Sequence, residues 1–174
     1  DNLKNLNLKD LSPGQIVRVI MSLVYGLECL HKSGFLHLDL KPLNCLYDYK
    51  NGMYTGYLSD FGFSLRCNNP YEGIVRNQRA GSLKYYPYEF LEASTEYVFN
   101  DKSDVWSLGV TILAFLGMDY VMSFDPDNTT DEKTQIVKNF WDKNSPQKLV
   151  HEQVNNSNLA ERDKIDLIEL LVNM

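Results

Sequence analysis

The sequence predicts a mainly α-helical unit in which one short pair of β-strands interrupts the helices. Three observations carry this. Apolar residues recur at three- and four-residue spacing between Pro13 and Lys32. A second, more uniformly apolar stretch runs from Asp101 to about Gly117. Between them lie two short β-prone runs, Cys45-Leu46-Tyr47 and Tyr57-Leu58-Ser59, on either side of an Asn51-Gly52 turn signal. With 174 residues, 44% of them hydrophobic and 23% charged, the chain has the composition of one globular domain with a sizeable core.

The elements follow in order. Leu3, Leu6, Leu8 and Leu11 suggest a short helix or turn packed on something larger. Ser12-Pro13 is a helix start, because Ser accepts from free amides and Pro suits the first helical position. Ile16, Ile20, Leu23, Leu27 and Leu30 form one face of that helix, Val17 and Val24 widen it, and Gly34 ends it. The segment 35–43 reads as a loop stiffened by Pro42, and the link between the two β-prone runs reads as longer than a two-residue hairpin. Residues 63–80 are polar and irregular and read as a surface loop. A short helix is expected over 88–93, then the apolar central helix from 101. Asp104 near its start is out of character, since a buried carboxylate needs partners. A loop over 119–130 precedes helical segments over 131–142 and 146–153. A last helix over 160–174 carries Ile165, Leu167, Ile168, Leu170 and Leu171.

Bulk properties exclude several functions. A formal net charge of -6 argues against nucleic acid as a partner. No run approaches the roughly 18 apolar residues of a membrane span, so no membrane association is expected. Cys29, Cys45 and Cys67 lack metal-type spacing and read as reduced thiols. No basic start followed by an apolar run marks a signal peptide, so an intracellular location is expected, with cytoplasm favoured and the nucleus left open.

The chemistry concentrates in two short stretches. His37-Leu38-Asp39-Leu40-Lys41-Pro42-Leu43-Asn44 sets a carboxylate, a cation and an amide within one turn, and Ser59-Asp60-Phe61-Gly62 adds a second carboxylate beside a flexible Gly. The first resembles the protein-kinase catalytic loop H-R-D-L-x-x-x-N, and the second resembles the D-F-G of the same family. Gly81-Ser82 leading to Pro87-Tyr88-Glu89, the stretch 102–109 and the closing helix follow in the family's order.

The resemblance implies the helical C-terminal lobe of a eukaryotic-type, Ser/Thr-like protein kinase domain, its strand pair carrying the catalytic and metal-binding loops. By that resemblance Asp39 orients and deprotonates the acceptor hydroxyl, Lys41 neutralises charge on the transferred phosphate, and Ser82 ties the two together. Lys41, Asn44 and Asp60 form the cofactor side, with Asn44 and Asp60 as ligands of Mg2+ and ATP as phosphoryl donor. The acceptor is a protein substrate. The match of His37 is structural, packing beneath Phe61, and that of Asp104 holds the backbone of the catalytic loop.

Two departures stand out. Leu38 replaces the usual Arg, which pairs with a phosphate on the activation loop; Leu cannot, and residues 63–80 offer only Ser64 and Tyr71 as hydroxyl acceptors. The chain therefore resembles a non-RD kinase that does without activation-loop phosphorylation. Pro87-Tyr88-Glu89 stands where A-P-E is typical, and no Arg lies where the family pairs one with Glu89. Neither a Gly-rich loop nor a V-A-I-K-type lysine is present. The expectation is a partial domain over 1–174, without the N-terminal lobe and the final helix, needing its own missing lobe as a partner and inactive alone. Two other readings are a pseudokinase or binding scaffold, and a small-molecule phosphotransferase of the choline or aminoglycoside kinase kind. The retained Asp39, Lys41, Asn44 and Asp60 weigh against the former; Asp60-Phe61-Gly62 and 102–109 weigh against the latter.

Overall fold

A computed structural model of the chain describes residues 1–92, 95–118, 124–157 and 159–172. The described residues are mainly helical. The leucines near the N-terminus form two 3-10 turns, Leu3–Asn5 and Leu8–Asp10, with Leu3 and Leu11 buried. Helix α1, Pro13–Lys32, begins as expected, and the Ser12 N–H donates to Gln15 Oε1 at 2.8 Å. Ile16, Val19, Ile20, Leu23 and Leu27 bury one face of it, and Gly34 leaves the helix at φ 79°.

The segment 35–43 is more ordered than a loop. Strand β1, Phe35–Leu36, opens it, and a 3-10 turn over Pro42–Asn44 closes it. Strands β2, Cys45–Lys50, and β3, Met53–Leu58, pair antiparallel from Cys45–Leu58 to Lys50–Met53. They are joined by the two residues Asn51 and Gly52, both left-handed at φ 52° and 79°. The expected longer link is thus a tight hairpin. Tyr49 and Tyr54 stack across its end at 4.6 Å, an extension that the flanking polar residues concealed. A Cβ at Gly56 would lie 2.9 Å from both Leu23 Cγ and the Val19 carbonyl oxygen, so only glycine lets β3 lie this close to α1.

The expected surface loop over 63–80 contains two further strands. Strand β4, Leu65–Arg66, pairs with β1, and β5, Ile74–Arg76, pairs with β6, Tyr97–Phe99. Strands of two or three residues with remote partners leave no period-2 pattern to read. Helix α2 covers Tyr88–Glu92; Ala93, the end of the expected helix, lies outside the described residues.

Helix α3, Asp101–Phe115, is the central one. Asn100 caps it by accepting from the Ser103 N–H at 3.1 Å, and it is buried on two sides, by Leu108 and Ile112 on one and by Val110 and Leu113 on another. Of the expected 119–130 loop, residues 119–123 lie outside the described residues. Helices α4, Thr130–Lys143, α5, Pro146–Asn156, and α6, Glu161–Val172, complete the unit; residues 173–174 of the expected last helix lie outside the described residues. In α6 Leu167 and Leu171 are buried, whereas Ile165 is 64% exposed and leaves the expected stripe. Among the described residues no helix is long and apolar enough to cross a membrane.

Candidate active site

The site is built on a buried carboxylate. Asp104, in the first turn of α3, is 1% exposed. Its Oδ2 accepts from the His37 N–H at 2.7 Å, and its Oδ1 accepts from the Leu38 N–H at 2.8 Å. His31 Nε2, from the end of α1, lies 2.9 Å from Oδ2. Three donors on two elements thus compensate the burial of this carboxylate, and in return it fixes the backbone that leads into Asp39. The partners expected for Asp104 are present. His31 is an addition that sequence reasoning missed, although a His four residues beyond Leu27 on a buried stripe is a signal that it needs a partner.

His37 is fully buried, its ring 5.1 Å from that of Phe61. Burial pushes its imidazole below the ordinary range, against the opposing pull of Asp104 and the Ser59 carbonyl. A neutral ring fits its contacts. Nε2–H donates to the Ser59 carbonyl at 3.0 Å, which leaves Nδ1 to accept from the Asp39 N–H at 3.4 Å. His37 therefore connects the two motif loops rather than facing the site.

Four predicted site residues form one network. Asp39, 3% exposed, accepts at Oδ2 from Lys41 Nζ at 2.6 Å and from Asn44 Nδ2 at 2.9 Å. Its Oδ1 accepts from Ser82 Oγ at 2.7 Å, and Lys41 Nζ donates to Ser82 Oγ at 2.9 Å. Asn44 Nδ2 also donates to the Asp39 carbonyl at 2.8 Å. The amide nitrogen of Asn44 makes both of its bonds to Asp39, so its Oδ1 stays outside the network, as a hard oxygen donor for a cation.

Asp60 does not join this network. It is exposed, left-handed at φ 60°, and among the described residues its Oδ1 accepts only a long 3.4 Å bond from the Gly62 N–H. What ties its turn to the loop is the preceding residue: the Ser59 N–H and Oγ both donate to the Asn44 carbonyl at 2.9 Å. Asn44 and Asp60 offer hard oxygen donors of the kind that would suit Mg2+.

Leu38 is buried, left-handed at φ 68°, and lines a void of about 10 Å³ with Ala80, Tyr86, Pro87 and Phe90. Where a guanidinium would reach for a phosphate, this side chain packs beneath the segment that carries Ser82. Gly81, at φ 90°, completes the contact: a Cβ there would lie 2.0 Å from the Leu38 carbonyl oxygen. The same segment is anchored by Arg79, which sequence reasoning missed. Its Nε donates to Tyr97 Oη at 2.8 Å and its Nη1 to Thr134 Oγ1 at 2.9 Å, and its guanidinium stands over the Tyr97 ring at 5.5 Å.

Neighbouring residues take supporting places. Cys45 is fully buried and its thiol is pushed up to about 12 by burial, which fits packing rather than nucleophilic chemistry. Glu89 is exposed and makes no ion pair among the described residues. All three cysteines are free thiols.

Comparison with known proteins agrees with this geometry. The family model described as protein kinase domain matches residues 2–174. The chain is 33% identical over 106 residues to serine/threonine-protein kinase TOS3 of Saccharomyces cerevisiae, a match covering 57% of this chain and 18% of that protein. It is 35% identical over 103 residues to MAP kinase kinase kinase mkh1 of Schizosaccharomyces pombe, covering 59% of this chain and 9% of that one. With dual specificity protein kinase zak2 of Dictyostelium discoideum it shares 33% identity over 145 residues, 79% of this chain and 22% of that one. The chain thus spans a minor part of the length of each relative. A buried Asp39 network held by Asp104, together with a family match along almost the whole chain, leads to one assignment: this chain belongs to the protein kinase domain family.

Proposed function

We propose that the intact protein transfers the terminal phosphoryl group of ATP to Ser or Thr hydroxyls of protein substrates, and that this chain is the helical lobe bearing the acceptor side of the site. The observation that carries the reading is the bonding of Asp39 to Lys41, Ser82 and Asn44 in one buried network. Phosphoryl transfer asks mainly for positioning and charge neutralisation, and the network supplies both. Asp39 Oδ1 receives only Ser82 and keeps a lone pair for the acceptor hydroxyl, whose proton it takes as the new P–O bond forms and ADP departs. Lys41 Nζ, steered by Ser82 Oγ, meets the negative charge of the moving phosphate. Asn44 and Asp60 would hold Mg2+, which supplies charge neutralisation on the nucleotide phosphates when bound. The Lys41–Ser82 bond supports Ser and Thr as acceptors.

Regulation follows from Leu38. Its burial beneath Ala80, Tyr86 and Pro87, with the Arg79 anchor, supports a substrate-facing segment ordered without a phosphate. Phosphomimetic replacement of Ser64 or Tyr71 is expected to leave activity unchanged; a many-fold rise would refute this part.

The test of the main reading is a phosphotransfer assay on the intact protein beside Asp39→Asn. Loss of about 10²–10⁴-fold in transfer to protein supports it, as removal of a positioned general base should. Equal background in both proteins would favour a binding scaffold. Transfer confined to small alcohols or amines would favour a small-molecule phosphotransferase.

A further inference from the structure

A cleft of about 690 Å³ opens beside Lys41 and Ser82 and runs past Leu43 and Tyr85 to Phe124. Neither Asn44 nor Asp60 lines it, so it lies on the acceptor side of Asp39 rather than the metal side. Its charge is one-signed. Lys4, Lys41 and Lys84 line it, and no carboxylate does among the described lining residues. This is unusual for a chain whose formal net charge is -6.

The three lysines are not equivalent. Lys41 is already paired with Asp39 at 2.6 Å. Lys4 and Lys84 enter no ion pair among the described residues. Lys84 Nζ instead stands 4.8 Å over the ring of Phe124, which holds the ammonium at the cleft wall without neutralising it. Asp125, next to Phe124 in sequence, accepts from the Asp127 N–H at 3.0 Å within its own turn. Lys4 and Lys84, two cations with no carboxylate partner among the described residues, line the same cleft as apolar Leu43 and Tyr85, a surface complementary to acidic chain.

We infer that this cleft selects polypeptide segments carrying Asp or Glu close to the hydroxyl that is phosphorylated. The inference rests on the kinase reading for its substrate, and its charge argument can be tested without turnover.

The experiment uses the intact protein and three peptides that share one Ser, flanked by Asp and Glu, by Ala, or by Lys and Arg. The acidic peptide is expected to exceed the alanine peptide in kcat/KM by about three- to ten-fold at low salt, the scale of two rim charges. The gap should narrow as salt shortens the Debye length. Lys4→Glu combined with Lys84→Glu should reverse the order of the acidic and basic peptides, chiefly through KM. The single Lys4→Ala change at an exposed site should weaken the preference in the same direction if the double variant folds poorly. A wild-type preference for the basic or alanine peptide, or a preference that survives the double variant, overturns the inference. Fluorescence anisotropy of the labelled peptides separates the two readings. Tighter, Lys4- and Lys84-dependent binding of the acidic peptide without any Asp39-dependent transfer would uphold the cleft and refute the kinase; equal binding of all three peptides would refute the cleft.

Discussion

The two motif loops meet at Ser59, yet they are determined in different ways. The Asp39 loop is held from outside by Asp104, His31, Ser82 and Gly81, which come from α1, α3 and the segment before α2. The Asp60 turn has a carboxylate open to solvent, and the rings of Phe61 and Phe63 are 50% and 49% exposed. The Asp39 loop is fixed by several elements of the fold; the Asp60 turn is joined to it through Ser59 and through the His37–Phe61 ring contact. Two equally recognisable sequence signals thus carry unequal amounts of structural determination. Burial, rather than the strength of the motif, decides which is rigid.

The sharpest way to break this contrast is to remove its anchor. Asp104→Ala strands the His37 and Leu38 amides and the His31 ring in a buried place. A loss of about 3–5 kcal/mol is expected, read by urea unfolding, as for several buried donors left without an acceptor. A loss below about 1 kcal/mol would show that the Asp39 loop does not depend on α3.

Next is the contact from the other side. Gly81→Ala puts a methyl into the Leu38 carbonyl at a left-handed position. The expected cost is about 1–3 kcal/mol in stability, the scale of a strained backbone. Displacement of Ser82 should add a fall in kcat of the intact protein. Wild-type stability and kcat together would show that the close approach has room to relax.

The joint between the loops can be probed by pH. The folded pKa of His37 lies below the unfolded one, so the unfolded chain binds the extra proton first. Its contribution is complete above about pH 6.5 and is lost as the pH falls from there toward the depressed folded value. Denaturant midpoints measured from pH 7.5 downward should therefore drop, and His37→Phe should flatten that part of the profile. An unchanged slope in the variant would mean that other groups carry it.

The smallest expected effect completes the comparison. Asp60→Asn should alter stability by no more than about 0.5 kcal/mol, as an exposed position does. In the intact protein it should nevertheless weaken Mg2+-dependent transfer. A large loss of stability would place Asp60 on the same footing as Asp39.

These differences bear on what could be read from residues alone. The long helices were legible because a 3.6-residue apolar period survives local noise, as in Ile16, Ile20, Leu23 and Leu27. The network residues Asp39, Lys41, Asn44 and Ser82 were legible through their order along the chain, and the fold brings the four into contact. Strands β1, β4, β5 and β6 were not, because pairs so short are stabilised by partners far away in sequence. The hairpin was underestimated for a related reason: the register extends through Asp48, Tyr49 and Lys50, whose polarity disguises a strand with an open face. His31 and Arg79 act through contacts 73, 18 and 55 residues away, and neither belongs to a run that would single it out.

The left-handed turn at Leu38 has a consequence for how the site can come apart. Its amide is bonded to α3, its side chain lies under Ala80 and Tyr86, and its carbonyl oxygen abuts Gly81. One residue is thus shared by the Asp39 loop, the central helix and the segment before α2. A lesion in the Asp39 loop, in the start of α3 or at Gly81 should therefore be felt by the other two, and the three are expected to open together.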